Sequence, residues 1–131
     1  MRRVVIDTNV LVSAMWSKDS NPFKVVDMVF ANIIVPYYND EVFAEYSEVL
    51  SREKLNFPKD KITALLSELT KNGVFSEAAV SDIPFADESD RKFYDLAIAN
   101  NATLITGNLK HYPSENFIQN PLEFLQSAVD W

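Results

Sequence analysis

Short continuous apolar runs alternate with longer stretches of helical spacing along this chain. Arg2-Arg3-Val4-Val5-Ile6 reads as a buried strand, because β-branched residues follow one another without polar interruption. Asp7-Thr8-Asn9 then offers a helix N-cap, and the apolar segment from Val10 to Trp16 reads as a first helix. Asn21-Pro22 marks a cap and a first-turn proline, opening a helix through about Asn32 with Phe23, Val26 and Phe30 on one face. Ile33-Ile34-Val35-Pro36 predicts a second buried strand, ended by its proline.

The pattern continues with a helix from about Asn39 to Glu53, whose stripe is Val42, Tyr46, Val49 and Leu50. Pro58 opens another helix, built on Ile62, Leu65, Leu66 and Leu69, and Gly73 stands where a C-terminal glycine is expected. Val74-Phe75 begins a short strand, and residues 77–86 show no period. Glu88 to about Asn100 is helical in spacing, Thr103-Leu104-Ile105-Thr106 is a strand, and Asn116-Phe117-Ile118 is another. Asn120-Pro121-Leu122-Glu123 has the form of a capping box. Strands separated by helices imply an α/β fold, three layers with a central parallel sheet. Ligands in such folds bind beyond the carboxyl ends of the strands. Asp7 and Asn108 both follow strands directly or nearly so, which brings them to the same sheet edge.

Bulk properties narrow the chemistry. A chain of 131 residues, 47% hydrophobic, with two glycines and no linker-like stretch, is expected to form one domain over residues 1–131. The absence of cysteine excludes disulfides, thiolate zinc sites and cysteine nucleophiles, and one histidine excludes a multi-histidine zinc site. The N-terminal apolar run stops at Asp7, too short for a signal peptide core or a membrane span, so a cytoplasmic location is expected. Nineteen acids against twelve bases give a net charge of −7, which opposes nonspecific nucleic-acid binding. Bound divalent cations would offset that charge locally.

Three acids stand out by position. Asp7 closes an apolar strand, where a carboxylate is costly to bury unless something positive meets it; capping the next helix is its ordinary reading. Glu45 lies on a helix with Glu41 and Glu48 along one side, as a solvated acidic face would, yet it adjoins the buried stripe at Tyr46. Asp90 sits near a helix start for which Asp87 is the better cap, and Asp95 follows about a turn later.

Their order along the chain resembles the PIN-domain nucleases, and the VapC-like toxins of bacterial toxin–antitoxin systems in particular. The segments that carry the resemblance are Val5-Ile6-Asp7-Thr8-Asn9-Val10-Leu11-Val12-Ser13-Ala14, Glu45-Tyr46-Ser47-Glu48-Val49-Leu50-Ser51-Arg52, Asp90-Arg91-Lys92-Phe93-Tyr94-Asp95-Leu96-Ala97-Ile98-Ala99 and Leu104-Ile105-Thr106-Gly107-Asn108. The resemblance implies Asp7, Glu45 and Asp90 as the catalytic acids and ligands of Mg²⁺ or Mn²⁺, with Asn108 where many members carry a fourth Asp. An amide there can ligate or orient water but adds no charge. Thr106, Asn9, Asp87, Asp95 and Glu48 are supporting candidates.

The implied activity is hydrolysis of RNA phosphodiester bonds by an endoribonuclease, for which hard oxygen ligands around Mg²⁺ or Mn²⁺ are suited. Arg52, Lys54, Lys59 and Lys61 cluster between two helices, and Lys110 and His111 follow the Thr-Gly-Asn turn; Arg52, Lys54, Lys110 and His111 are the candidate RNA contacts. A cognate antitoxin and a homodimer are further implications of the resemblance, with Trp16, Phe23 and Trp131 as apolar residues for an interface or a core. Two other readings are open. Asp7-Thr8-Asn9-Val10 resembles the nucleophile motif of haloacid-dehalogenase-type phosphatases, although Asn9 replaces the second acid. A PIN-like fold could also persist as a binding scaffold with its metal site degraded, which Asn108 and the acidic total favour.

Overall fold

The structure, a computed structural model, describes residues 1–128; Trp131 lies outside the described residues. Its sheet is built from β1 (Arg2–Ile6), β2 (Ile34–Tyr38), β3 (Val74–Phe75), β4 (Thr103–Ile105) and β5 (Ile118–Gln119). The strand order is β3-β2-β1-β4-β5 and every pairing is parallel. The helices are α1 (Thr8–Trp16), α2 (Asn21–Phe30), α3 (Asp40–Leu50), α4 (Lys59–Lys71), α5 (Arg91–Asn100) and α6 (Pro121–Ser127).

Successive strand residues point to opposite faces, yet Val4, Val5 and Ile6 of β1 are all fully buried, so both faces of the central strand are covered. α5 packs on β1, β2 and β4, while α2 packs against both α1 and α6. The core joins these layers through Leu11, Val25, Val29, Tyr46, Leu50, Phe93, Leu96, Leu104 and Phe124. Moving outward from β1, the chain first builds β2 and β3 on one side and then crosses to place β4 and β5 on the other. The carboxyl ends of β1 and β4 therefore flank a topological switch point, the crevice where doubly wound sheets bind ligands. Ile6 pairs with Ile105, and the Asp7 amide donates to the Ile105 carbonyl at 2.9 Å.

Four local expectations change. The cap of α2 is Ser20, whose hydroxyl accepts from the Phe23 amide, one residue before the expected Asn21. Phe30 is exposed, and Val25 and Val29 carry that helix's buried face with Val26. Pro36 lies inside β2: its neighbours Tyr37 and Tyr38 make the pairing to β3, so its missing N–H interrupts no rung there. Gly73 does not adopt a left-handed conformation. Added bulk is what it avoids: a Cβ would fall 2.1 Å from the Leu69 carbonyl oxygen and 2.6 Å from that of Pro36. The left-handed turns fall instead on Asp19, Asn32, Asn56 and Asn101, polar residues that tolerate positive φ. The Asn120 capping box forms as expected, with Asn120 and Glu123 exchanging hydrogen bonds. No helix among the described residues is long and apolar enough to cross a membrane.

Candidate functional site

Asp7 follows β1 at the switch point and is only 5% exposed. It occupies the N-cap position of α1, but its carboxylate makes no capping hydrogen bond. Oδ2 instead accepts from the Thr106 hydroxyl and from the Tyr112 phenol, each at 2.9 Å. Burial pushes its pKa up, the two hydrogen bonds oppose that shift, and the charge of Glu45 adds to it. The Tyr112 phenol is itself raised, chiefly by burial and then by the charge of Asp7, so it stays a proton donor throughout the ordinary pH range.

Thr106 connects two parts of the site. Its hydroxyl donates to Asp7 and accepts from the Asn108 amide at 3.0 Å, fixing the turn that follows β4. Asn9 pins the same turn from α1, since its Oδ1 accepts from the Gly107 amide at 2.8 Å. A Cβ on Gly107 would stand 3.1 Å from that oxygen, so the missing side chain lets the two segments close. Asn108 is exposed at the rim of the crevice, with its backbone ordered and its side chain making no cap to the short 3₁₀ turn Leu109–His111.

Asp90 comes from the other wall, where the 3₁₀ turn Glu88–Asp90 runs into α5. It is 9% exposed, and its Oδ2 is buried without a hydrogen-bond partner among the described residues. The His111 ring stands 3.5 Å from that oxygen. Burial, then the charges of Asp7 and Asp87, raise the Asp90 pKa to about 6. Asp87 is exposed and does cap the turn, accepting from the Ser89 amide.

Glu45 turns inward from α3 and both of its oxygens are engaged. Oε2 accepts from the Thr8 hydroxyl, and Oε1 meets the Lys92 ammonium at 2.7 Å. Tyr46, the next residue, is buried and donates its phenol to the Ile6 carbonyl, tying α3 to the end of β1 one residue before Asp7. Glu48 faces outward, paired with Arg52 through two hydrogen bonds on an exposed helix surface, so neither reaches the crevice. Lys54 is exposed in the turn beyond α3. Lys110 borders a different cleft, with Glu115 and Glu123. Asp95 is buried lower on α5, and its Oδ2 accepts from the Ser81 amide, holding the irregular segment that carried no sequence period.

The structure thus gathers Asp7, Glu45, Asp90, Thr106 and His111, with Asn108 on the adjoining turn and Asn9 holding that turn from α1. It adds three residues that the sequence did not single out. Thr8 and Lys92 are each one or two places from a recognised acid, and that adjacency was the available signal. Tyr112 had none, because it follows an irregular turn and belongs to no periodic element.

A divalent cation fits the donor set in one respect and meets a limit in another. Asp7 and Asp90 are buried hard-oxygen donors, the charge of Asp7 adds to the raised pKa of Asp90, and one Asp90 oxygen lacks a hydrogen-bond partner. Among the described residues, however, no three acidic or histidine side chains stand grouped as a finished metal cage. Glu45 is turned onto Thr8 and Lys92.

An uncharacterized protein of Methanocaldococcus jannaschii is 29% identical to this chain over 109 residues, covering 81% of this chain and 70% of that protein. The family model of the PIN domain matches residues 3–110, a span that includes Asp7, Glu45, Asp90 and Asn108 and stops short of Tyr112. That match sets aside the phosphatase reading of Asp7-Thr8-Asn9-Val10. By the extent of this match, together with the parallel five-stranded sheet and its switch-point crevice, the chain belongs to the PIN domain family, whose members are generally nucleases.

Proposed function

We propose that this protein is an endoribonuclease that hydrolyses RNA phosphodiester bonds with Mg²⁺ or Mn²⁺ held by Asp7 and Asp90. The observation that carries the reading is the pair itself. Two buried carboxylates meet at the switch point from opposite walls: Asp90 is made harder to ionise by burial and by the charge of Asp7, Asp7 by burial and by the charge of Glu45, and one Asp90 oxygen has no hydrogen-bond partner. Such repulsion is costly in an isolated fold and is relieved by a positive ligand. When bound, a divalent ion supplies an activated water and charge stabilisation at the phosphate.

The chain's own residues divide the remaining tasks. Thr106 and Tyr112 hold one oxygen of Asp7 and so fix which way its other oxygen faces. Asn9 and Gly107 keep the Asn108 turn against α1. Asn108 brings a neutral amide and His111 an imidazole to the rim, where substrate oxygens or water can hydrogen-bond. Resemblance to the VapC-like group supports a toxin role with a cognate antitoxin, a homodimer and action in the cytoplasm.

Total RNA incubated with the protein and Mn²⁺ or Mg²⁺ tests the reading. Cleavage by the wild type that chelation abolishes, and that Asp7→Asn loses while keeping its circular dichroism spectrum, is the expected result. Equal activity in Asp7→Asn would overturn the assignment. An intact RNA pool, together with no saturable Mn²⁺ binding, would identify a scaffold.

A further inference from the structure

The ion pair between Lys92 and Glu45 joins α3 to the start of α5 beside the acidic crevice and is mostly withdrawn from solvent. Lys92 is the second residue of α5, two places after Asp90, and its side chain is 14% exposed against 24% for Glu45. Its ammonium meets Glu45 Oε1 at 2.7 Å and also donates to the Ser89 carbonyl, in the turn that carries Asp90. The Phe93 ring lies 5.0 Å away. Those contacts anchor the charge to both walls, α3 and the start of α5. An ammonium has three hydrogens, so two such partners leave one for an incoming oxygen.

The charge balance of the crevice follows from this. Asp7, Glu45 and Asp90 bring three negative charges, Lys92 cancels one, and Asn108 adds none. The two that remain are what a single divalent cation balances. Both Glu45 oxygens are in addition already engaged, since the Thr8 hydroxyl takes the one that Lys92 does not.

Resting on the nuclease reading above, we propose that Lys92 is the resident second cation of this site. The protein binds one divalent ion, on Asp7 and Asp90, and Lys92 supplies to the substrate phosphate the positive charge that a second ion would carry. Glu45 is then a positioning residue for Lys92 and not a metal ligand. Lysine serves here as a compact point charge, a role it commonly fills toward phosphate.

Mn²⁺ titration followed by electron paramagnetic resonance tests this without reference to activity. The wild type is expected to bind one Mn²⁺, with the site lost in Asp7→Asn and retained within about threefold in affinity by Glu45→Gln, a change smaller than is usual for ligand-shell substitutions. In RNA cleavage, Lys92→Met is expected to lose about a hundredfold, mainly in kcat, and Lys92→Arg to recover part of it. Two Mn²⁺ in the wild type, the second removed by Glu45→Gln, would overturn the proposal; so would Lys92→Met cleaving at the wild-type rate. Either result leaves the nuclease reading standing. No Asp7-dependent Mn²⁺ and no cleavage by the wild type would instead bring down the nuclease reading itself.

Discussion

Tyr112 donates its phenolic hydrogen to Oδ2 of Asp7 at 2.9 Å, joining two buried groups separated by 105 positions in the chain. The contact converts a strand-end acid into an oriented one. Thr106 donates to the same oxygen from β4's end, so one face of the carboxylate is saturated by protein and the other is left for the crevice. The pair also lies at the margin of the family match, with Asp7 inside it and Tyr112 just beyond.

Removing that phenol isolates its contribution. Tyr112→Phe keeps the ring and its edge-on packing against Phe85, whose centroid is 6.0 Å away, while deleting one donor to Asp7. Mn²⁺ affinity is expected to fall about tenfold, as for loss of other ligand-orienting hydrogen bonds. Titration calorimetry of the variant against wild type checks this, and an unchanged affinity would mean Thr106 alone suffices to orient the carboxylate.

Burial of Asp90, with the charge of Asp7 beside it, has a signature in stability against pH. Asp90 titrates near 6 in the fold against an ordinary 3.8, so the folded state holds its proton more tightly than the unfolded chain. Its contribution is therefore most favourable at low pH and is lost as pH rises through about 6. In chelator, Asp90→Asn is expected to melt above the wild type at neutral pH, with the gap narrowing below about pH 6 and closing toward about pH 4. Saturating Mn²⁺ should reverse the order. Thermal melts of both proteins over that range decide it, and a gap that does not depend on pH would count against a strained Asp90.

Gly73 offers a test of the scaffold behind the site. Replacing glycine by alanine usually stabilises a chain whose backbone angles allow it, through the unfolded state. Here the added methyl would meet two backbone carbonyl oxygens, of Leu69 and Pro36, that cannot move without disturbing α4 and β2. Gly73→Ala is expected to lose about 3 kcal/mol in urea unfolding. A neutral or stabilising result would show that the α4–β2 junction gives way easily.

Much of this architecture was legible in local pattern. Val4-Val5-Ile6 and Leu104-Ile105 are short apolar runs that water would penalise anywhere but in a covered sheet, and the stripe of Val42, Tyr46 and Leu50 has no burial solution other than a helix. Asp7 and the Thr106-Gly107-Asn108 turn could be assigned to one sheet edge because parallel strands all end on the same side. Boundaries were less legible. Ser20 rather than Asn21 caps α2, since either short polar side chain can accept from the first turn and the proline is compatible with both frames.

Side-chain partnership was the part that sequence could not contain. Glu45 and Glu48 share a helix and a charge, and only the packing of α3 against α1 and α5 turns one onto Thr8 and Lys92 while leaving the other with Arg52 in water. Helical spacing states which residues share a face but not what another helix will bring to it. The sequence by itself determined the covered parallel sheet and the placing of Asp7 and the Thr106-Gly107-Asn108 turn at its carboxyl edge, because burial of apolar runs and the polarity of strands are local properties. Tertiary structure decided which oxygens of those acids are already spoken for, by Tyr112, Thr106, Thr8 and Lys92, because hydrogen bonds and ion pairs form across distances in space that carry no fixed distance along the chain.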